Sequence, residues 1–496
     1  MNLITINEIF SGFNNVIIPD KVDGNALVEP MPFCYGAHAK ALLYISEKVN
    51  SKSEINLSTL KEDAAYAVVV PNTLEVKSCA LPIIRVENVR RAFAYAISRL
   101  HRIDFGKLKF IGVTGTNGKT TTATLIYEML SRCGYRVGFI GTGKILSSGK
   151  LLTSDTYSMT TPDPTVLYPA IKRMCEDECE YVVMEVSSHS IALGKVEPIR
   201  FEYAIFTNLD DEHLDFHSSK EEYFKTKLQL FSKTKIGLFN LDDEYGQRAF
   251  EAAECQKSTF GIINQGDAYA TDIELSSLVR TTFYYRETDL IFKAETHLFG
   301  AFNVYNALAA LKCVIDLGVK PCVAKAALCE IRGVVGRMEL IKGDITAVID
   351  YAHTPMAFYN CLKTLKSLVN TKQKLIAVFG CGGDRDKGKR PLFGKWADLF
   401  ADKVIITEDN SRSESFEAIA SDIVKGIEKR DYEIIKDRES AIRRAFKIAK
   451  SGDVIALIGK GHERYKIIEN EYFSFDERNI IRDEMKKREG NYESQT

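Results

Sequence analysis

The chain has 496 residues, 45% hydrophobic and 27% charged, with a net charge of −1. That length suggests about three domains of roughly 150 residues, in a globular soluble composition. The near-neutral charge offers no broad field for nucleic acid or a membrane surface, and no apolar run approaches the roughly 20 residues of a membrane span.

The segment from Met1 to Glu8 lacks the basic and apolar regions of a secretory leader, so none is expected. Eleven cysteines, an odd number, include several in apolar segments, such as Cys313 and Cys361. They read as thiols in a reducing cytoplasm. Residues 1–108 form a first region, with strands predicted over 65–70 and 83–86 and a helix over 89–100.

The run Ile111 to Thr122 is the most informative stretch. An apolar strand over 109–113 leads into a glycine-rich turn, a lysine and hydroxyls opening a helix. Gly115 and Gly118 let the backbone turn amides toward phosphate oxygens. Lys119 reaches the β- and γ-phosphates, and the Thr120 hydroxyl faces Mg²⁺. The strict phosphate-loop pattern is missed by one position, because Val113 stands where its first glycine falls. Leu125, Ile126, Met129 and Leu130 form the apolar face of the helix, and Gly134 stops it.

From Lys109 to Gly336 strands alternate with helices, at 181–186, 203–207 and 236–239, which predicts a mostly parallel α/β sheet. Cys175 and Cys179 lie four apart on a predicted helix, without a second Cys/His pair at zinc spacing, so they read as buried thiols. Glu185 and His213 each follow a strand, at strand ends expected to be adjacent, and would suit a divalent metal on ATP phosphates. For Asp210 and Asp211 a solvated polar loop is the equal alternative. Lys227, on a helix predicted over 223–231, reads from pattern alone as a solvated lysine. Residues 281–293 alternate like an antiparallel hairpin.

From Arg337 the alternation restarts, at 347–349, 375–379, 404–406 and 454–458, as a second α/β unit. Asp350, Gly380 to Arg385, Glu408 to Arg412 and Gly459 to Glu463 follow these strands, where open α/β sheets bind ligands. Gly380 to Arg390 has the glycine density of a backbone wrapped around a polar ligand. Arg412 could clamp a carboxylate, although Asp409-Asn410-Ser411-Arg412 alone reads more readily as a turn. Residues 489–496 read as a disordered tail.

In order, Thr114 to Thr120, Thr160 to Pro162, Glu185 to His189, Thr207 to His217, Gly300 to Asn306, Gly336 to Glu339, Asp350 to His353, Gly380 to Arg390 and Gly459 to Glu463 resemble the Mur ligase family. Within it the likeness is to enzymes that add the third amino acid of the peptidoglycan stem peptide. The resemblance implies three α/β domains. They are a UDP-substrate-binding domain over 1–108, an ATPase domain over 109–336, and a Rossmann-like amino-acid domain over 337–496.

It also implies a monomeric cytoplasmic ligase that uses ATP and Mg²⁺ to join a free amino acid to UDP-N-acetylmuramoyl-L-alanyl-D-glutamate through an acyl phosphate. By the same resemblance Gly115, Thr116, Asn117, Gly118, Lys119, Thr120, Thr121, Asn303, Asn306, Arg337 and Asp350 lie around ATP. Thr120, Glu185 and His213 handle magnesium. Lys227 matches a lysine carbamylated by CO₂, with Lys119, Glu185 and His213 as its catalytic companions. Thr160, Thr161, Ser187 and Lys195 meet the UDP-substrate.

The amino acid falls to Arg385, Asp409, Asn410, Ser411, Arg412, Gly459 and Glu463. Arg412 as a buried cation favours meso-diaminopimelate, with its second carboxylate, over L-lysine. Some positions depart from the family. The first 60 residues lack its uracil signatures, Lys195 replaces an arginine, Glu212 an aspartate, and Ser411 the proline of Asp-Asn-Pro-Arg. Two alternatives follow: a related ligase, of another Mur or folylpolyglutamate type, or a nucleotide-binding paralogue without catalysis. Retention of Lys119, Glu185, His213 and Lys227 argues against the paralogue.

Overall fold

The computed structural model describes residues 3–32, 40–45, 54–57, 65–153, 159–212, 216–275, 280–469 and 471–493. Three α/β layers follow one another along the chain. The first has a five-stranded sheet in the order Ile4–Thr5, Leu27–Pro32, Ala41–Tyr44, Ala67–Pro71 and Ile83–Val86. The helix Val89–Leu100 is capped by the Asn88 side chain, which accepts from the Arg90 and Arg91 amides. Its Val89, Ala92 and Ala96 pack on this sheet, while Ala94 and Ile97 enter the core of the next layer. One helix thus serves two cores.

The central sheet has eleven strands. From Val137–Gly141, through Tyr181–Glu185, Lys109–Thr114, Phe201–Phe206, Thr234–Asn240 and Gln256–Gly261, to Ala268–Glu274 they run parallel. Both edges are antiparallel, and the hairpin of Thr281–Glu287 with Leu290–Thr296 closes one of them. The strands Val137–Gly141, Tyr181–Glu185 and Lys109–Thr114 are mostly apolar because helices cover both faces. Ile111 and Val113 pack under the helices Lys119–Arg132 and Ala301–Asp316. Phe110 points the other way, toward Leu167 and Ile171 of Pro164–Glu176.

The third layer is a six-stranded sheet in the order Glu339–Lys342, Thr346–Asp350, Val454–Ile458, Leu375–Phe379, Lys403–Ile406 and Tyr432–Ile434, parallel after its first pair. The three-layer α/β class and the mostly parallel central sheet are as the sequence implied.

Three local expectations need correction. Of the segment expected to be a tail, residues 489–493 continue the helix Glu477–Glu493, and residues 494–496 lie outside the described residues. Cys179 lies beyond the helix end at Glu176 and is buried, whereas Cys175 is only half-buried. The strands carrying Glu185 and the 207–217 loop are not neighbours, since the phosphate-loop strand lies between them. Among the described residues no helix is long and apolar enough to cross a membrane.

Candidate active site

The carboxyl ends of the central and C-terminal sheets face one cleft of about 720 Å³. Its floor is the turn between Lys109–Thr114 and Lys119–Arg132. Gly115 (φ +143°) and Gly118 (φ +86°) adopt backbone conformations that side chains disfavour. A Cβ on Gly115 would overlap the Thr207 hydroxyl, and one on Gly118 the Asn306 amide. No side chain caps the helix at Gly118, so its first-turn amides are left for a ligand. The turn is braced from the next strand: the Asn117 amide donates to Asn208 Oδ1 (2.9 Å), and Thr207 Oγ1 donates to the Asn117 carbonyl (2.6 Å). Thr116 Oγ1 accepts from the Asp210 amide at 2.9 Å and lies 3.2 Å from the Tyr223 hydroxyl.

Lys119 Nζ donates to the Gly115 (2.9 Å) and Thr116 (2.7 Å) carbonyls. Lys227, expected from pattern alone to be solvated, is 1% exposed. Its Nζ donates to the same Gly115 carbonyl at 2.9 Å and lies over the Tyr223 ring. The helix Lys220–Leu228 turns Lys227 inward with Tyr223 and Phe224. Burial first, and then the Lys119 charge, hold the Lys227 amine well below the ordinary lysine range, with Glu212 opposing. Burial lowers Lys119 too, against the attraction of Glu212 and Glu185.

Glu185 ends its strand fully buried at 0% exposure. Its carboxylate accepts from Thr120 Oγ1 (2.8 Å), the Thr142 amide (2.7 Å) and Thr142 Oγ1 (3.2 Å). Thr142 was missed in the sequence, although it too sits just past a parallel strand. His213 lies outside the described residues. Thr121 and Thr160 line the cleft. Thr161 Oγ1 donates to the Glu185 carbonyl (2.9 Å) and accepts from the Ser187 amide (3.2 Å). Ser187 caps the helix Ser188–Ala192. Lys195, also buried, pairs with Asp163 at 2.6 Å.

Asn306 donates to Asn303 Oδ1 (3.0 Å) and accepts from Thr122 Oγ1 (3.2 Å), which fixes the helix Ala301–Asp316 to the phosphate-loop helix. Arg337 lies over the Tyr351 ring and donates to Thr120 Oγ1 at 3.0 Å. Asp350 accepts from the Met338 (2.7 Å) and Ala352 (2.8 Å) amides, and burial raises its pKa. His353 Nε2 and Glu212 Oε1, 2.7 Å apart, join loops of the two sheets.

Across the cleft, Lys460 is fully buried at 0% exposure. Its Nζ lies 3.2 Å from Asp409 Oδ1 and 3.4 Å from Glu463 Oε2, and donates to Asn410 Oδ1 and to the Tyr465 carbonyl (2.9 Å). Asn410 Nδ2 donates to Glu463 at 2.8 Å. Burial raises the Glu463 carboxyl, whereas Asp409, beside Lys460 and Arg438, is held low despite its burial. Lys460 lies inside a motif the sequence reading singled out, but nothing in the pattern marked it as the central cation.

Arg412 is half-buried rather than buried, adopts φ +52°, and donates to the Gly383 carbonyl at 2.7 Å. Arg385 is exposed at the rim, and Gly459 lines the wall. Ser411 is buried, and its hydroxyl donates to Glu408 Oε1 at 3.0 Å. Outside the cleft, Glu295, His297 and Cys329 cluster with metal-ligating chemistry. Arg280 already pairs with Glu295 (3.0 Å) and Arg332 with His297 (3.0 Å).

The uncapped glycine-rich helix start, the two lysines on one carbonyl and the Glu185 carboxylate at the next strand end face the C-terminal sheet across this cleft. The chain belongs to the Mur ligase family: residues 113–314 match the Mur ligase middle domain, and residues 336–461 the Mur ligase, glutamate ligase domain.

It is 39% identical over 497 residues to the UDP-N-acetylmuramoyl-L-alanyl-D-glutamate--2,6-diaminopimelate ligase of Clostridioides difficile, covering 97% of this chain and 99% of that one. With ligase 1 of that name from Clostridium acetobutylicum it shares 38% over 460 residues, 90% and 92% of the two chains. A solved structure of a ligase of the same name superposes with a TM-score of 0.67 at 29% identity, covering 98% of this chain and 99% of that one. A folylpolyglutamate synthase of Mycobacterium tuberculosis shares the fold, with a TM-score of 0.62 at 15% identity over 75% and 92% of the chains.

Proposed function

We propose that this protein is an ATP-dependent ligase that joins 2,6-diaminopimelate to UDP-N-acetylmuramoyl-L-alanyl-D-glutamate in peptidoglycan synthesis. One observation carries the reading: the phosphate-type turn and the Arg412–Glu463 wall open into a single cleft. The substrate carboxylate attacks the γ-phosphorus of ATP, forming an acyl phosphate and releasing ADP. The incoming amine then attacks the acyl carbon, and inorganic phosphate leaves.

Lys119, Arg337 and the helix amides offset the negative charge that moves during phosphoryl transfer. Asn303, Asn306 and Asp350 hold the nucleotide side of the cleft, and Thr160, Thr161, Ser187 and Lys195 the UDP-substrate side. The hydroxyl of Thr120 and the carboxylate of Glu185, 2.8 Å apart, are the hard oxygen donors that Mg²⁺ takes, with His213 as a further ligand. When bound, the ion neutralises β- and γ-phosphate charge. A buried Lys227 amine with a lowered pKa fits addition of CO₂ to its Nζ, which releases a proton and leaves a carbamate anion beside Lys119.

In the C-terminal wall Arg412 takes the second carboxylate of diaminopimelate and Arg385 another part of it. Gly459 and Glu463 receive its distal ammonium. Asp409, Asn410 and Ser411 shape the turn. The division into 1–108, 109–336 and 337–496 belongs to this reading. It is supported by a phosphate-loop strand starting at Lys109 and a first C-terminal strand starting at Glu339. Phosphate release from ATP tests the reading. It should require both the UDP-dipeptide and diaminopimelate, and release needing neither would overturn it.

A further inference from the structure

Arg412 lines the cleft from a backbone conformation that non-glycine residues avoid, φ +52°. Such a conformation persists only when its surroundings fix it. Its amide donates to the Ile467 carbonyl (3.2 Å), and its carbonyl accepts from the Glu469 amide (2.8 Å). Asn410, two residues earlier, is locked by Glu463, Lys460 and the Ile467 amide. Between these anchors stands Ser411, where the family motif has a proline with a fixed φ.

Here the serine side chain supplies the restraint. Ser411 Oγ donates to Glu408 Oε1 at 3.0 Å, with both residues buried, and the Ser411 carbonyl accepts from the Glu414 amide at 3.0 Å. A Cβ on Gly383 would overlap that same carbonyl, so the glycine-rich loop presses against the turn. A buried hydroxyl bonded to a buried carboxyl oxygen is a directional restraint, and losing it would leave a polar group unpaired.

We propose that Glu408 is a positioning residue. Through Ser411 it holds the turn that presents Arg412 and so sets the affinity for the second carboxylate of the amino-acid substrate. The proposal rests on the functional reading above. Glu408 does not line the cleft, and its effect runs through Ser411 to Arg412.

The test is steady-state kinetics of phosphate release for wild type, Glu408→Ala, Glu408→Gln and Ser411→Ala, varying each of the three substrates. In Glu408→Ala and Ser411→Ala the KM for diaminopimelate should rise about tenfold, on the scale of one charge-assisted hydrogen bond. The KM values for ATP and the UDP-dipeptide should stay within twofold. Glu408→Gln keeps an oxygen acceptor for the serine and should recover most of the lost affinity. The double variant Glu408→Ala/Ser411→Ala should be no worse than either single one.

A diaminopimelate KM unchanged in both single alanine variants overturns the proposal. So does an equal rise in all three KM values, the mark of general loosening. If wild type shows no diaminopimelate-dependent release at all, the functional reading falls and this proposal with it. Should Glu408→Ala fail to fold, Ser411→Ala alone decides.

Discussion

Lys119 and Lys227 donate to one carbonyl oxygen, that of Gly115, each at 2.9 Å. Two ammonium groups on one acceptor repel, and the fully enclosed member gives way. Burial first, and then the Lys119 charge, push the Lys227 amine well below the ordinary lysine range, and burial lowers Lys119 as well.

Lys119→Ala should lower turnover on the order of 10³-fold or more, since a phosphate-facing cation is removed from the step it serves. Single-turnover formation of ADP checks this. Near-normal rates would place the phosphates elsewhere.

Lys227→Ala should be nearly inactive and partly rescued by acetate or another short carboxylate, because the proposed working group is an anion on the lysine. Intact-protein mass spectra of wild type in bicarbonate should show one added CO₂, lost in the variant. Absence of both rescue and adduct would remove the carbamate from the account.

In CO₂-free buffer Lys227 should instead cost stability. Its folded pKa is depressed, so between the folded value and the unfolded value of about 10.4 the unfolded chain binds more protons, and stability rises with pH. Lys227→Met should therefore raise Tm at pH 7, with the gain shrinking toward pH 10. A pH-independent difference would contradict a depressed Lys227 pKa.

Lys460→Met leaves Asp409 and Glu463 buried without their shared cation. A loss of about 3–5 kcal/mol is expected, the range for breaking a buried charge pair. Denaturant unfolding followed at Trp396, in the C-terminal layer, reads it.

The strand–helix alternation made the fold readable from particular residues. Strands at 109–113 and 454–458 are continuous apolar runs because both faces are covered, and the helix over 89–100 carries its own Asn88 cap. The phosphate turn was readable because glycine and lysine act locally.

Lys227 was not readable from pattern alone and was singled out only by the family resemblance, since its helix carries charges on several sides and only tertiary packing decides which of them is buried. Lys460 failed for the same reason. Thr142 contributes a backbone amide to Glu185, and an amide leaves no trace in sequence. Placing Glu185 beside the 207–217 loop missed that the phosphate-loop strand separates them, because sheet order is not written in chain order.

The most direct test of the central claim is the mass of the product formed by wild type from ATP, UDP-N-acetylmuramoyl-L-alanyl-D-glutamate and an equimolar mixture of diaminopimelate and L-lysine. The account predicts a UDP-tripeptide carrying diaminopimelate, with Arg412→Ala losing that product by about 2–5 kcal/mol in kcat/KM. A lysyl product, or ATP turnover without any tripeptide, would contradict it.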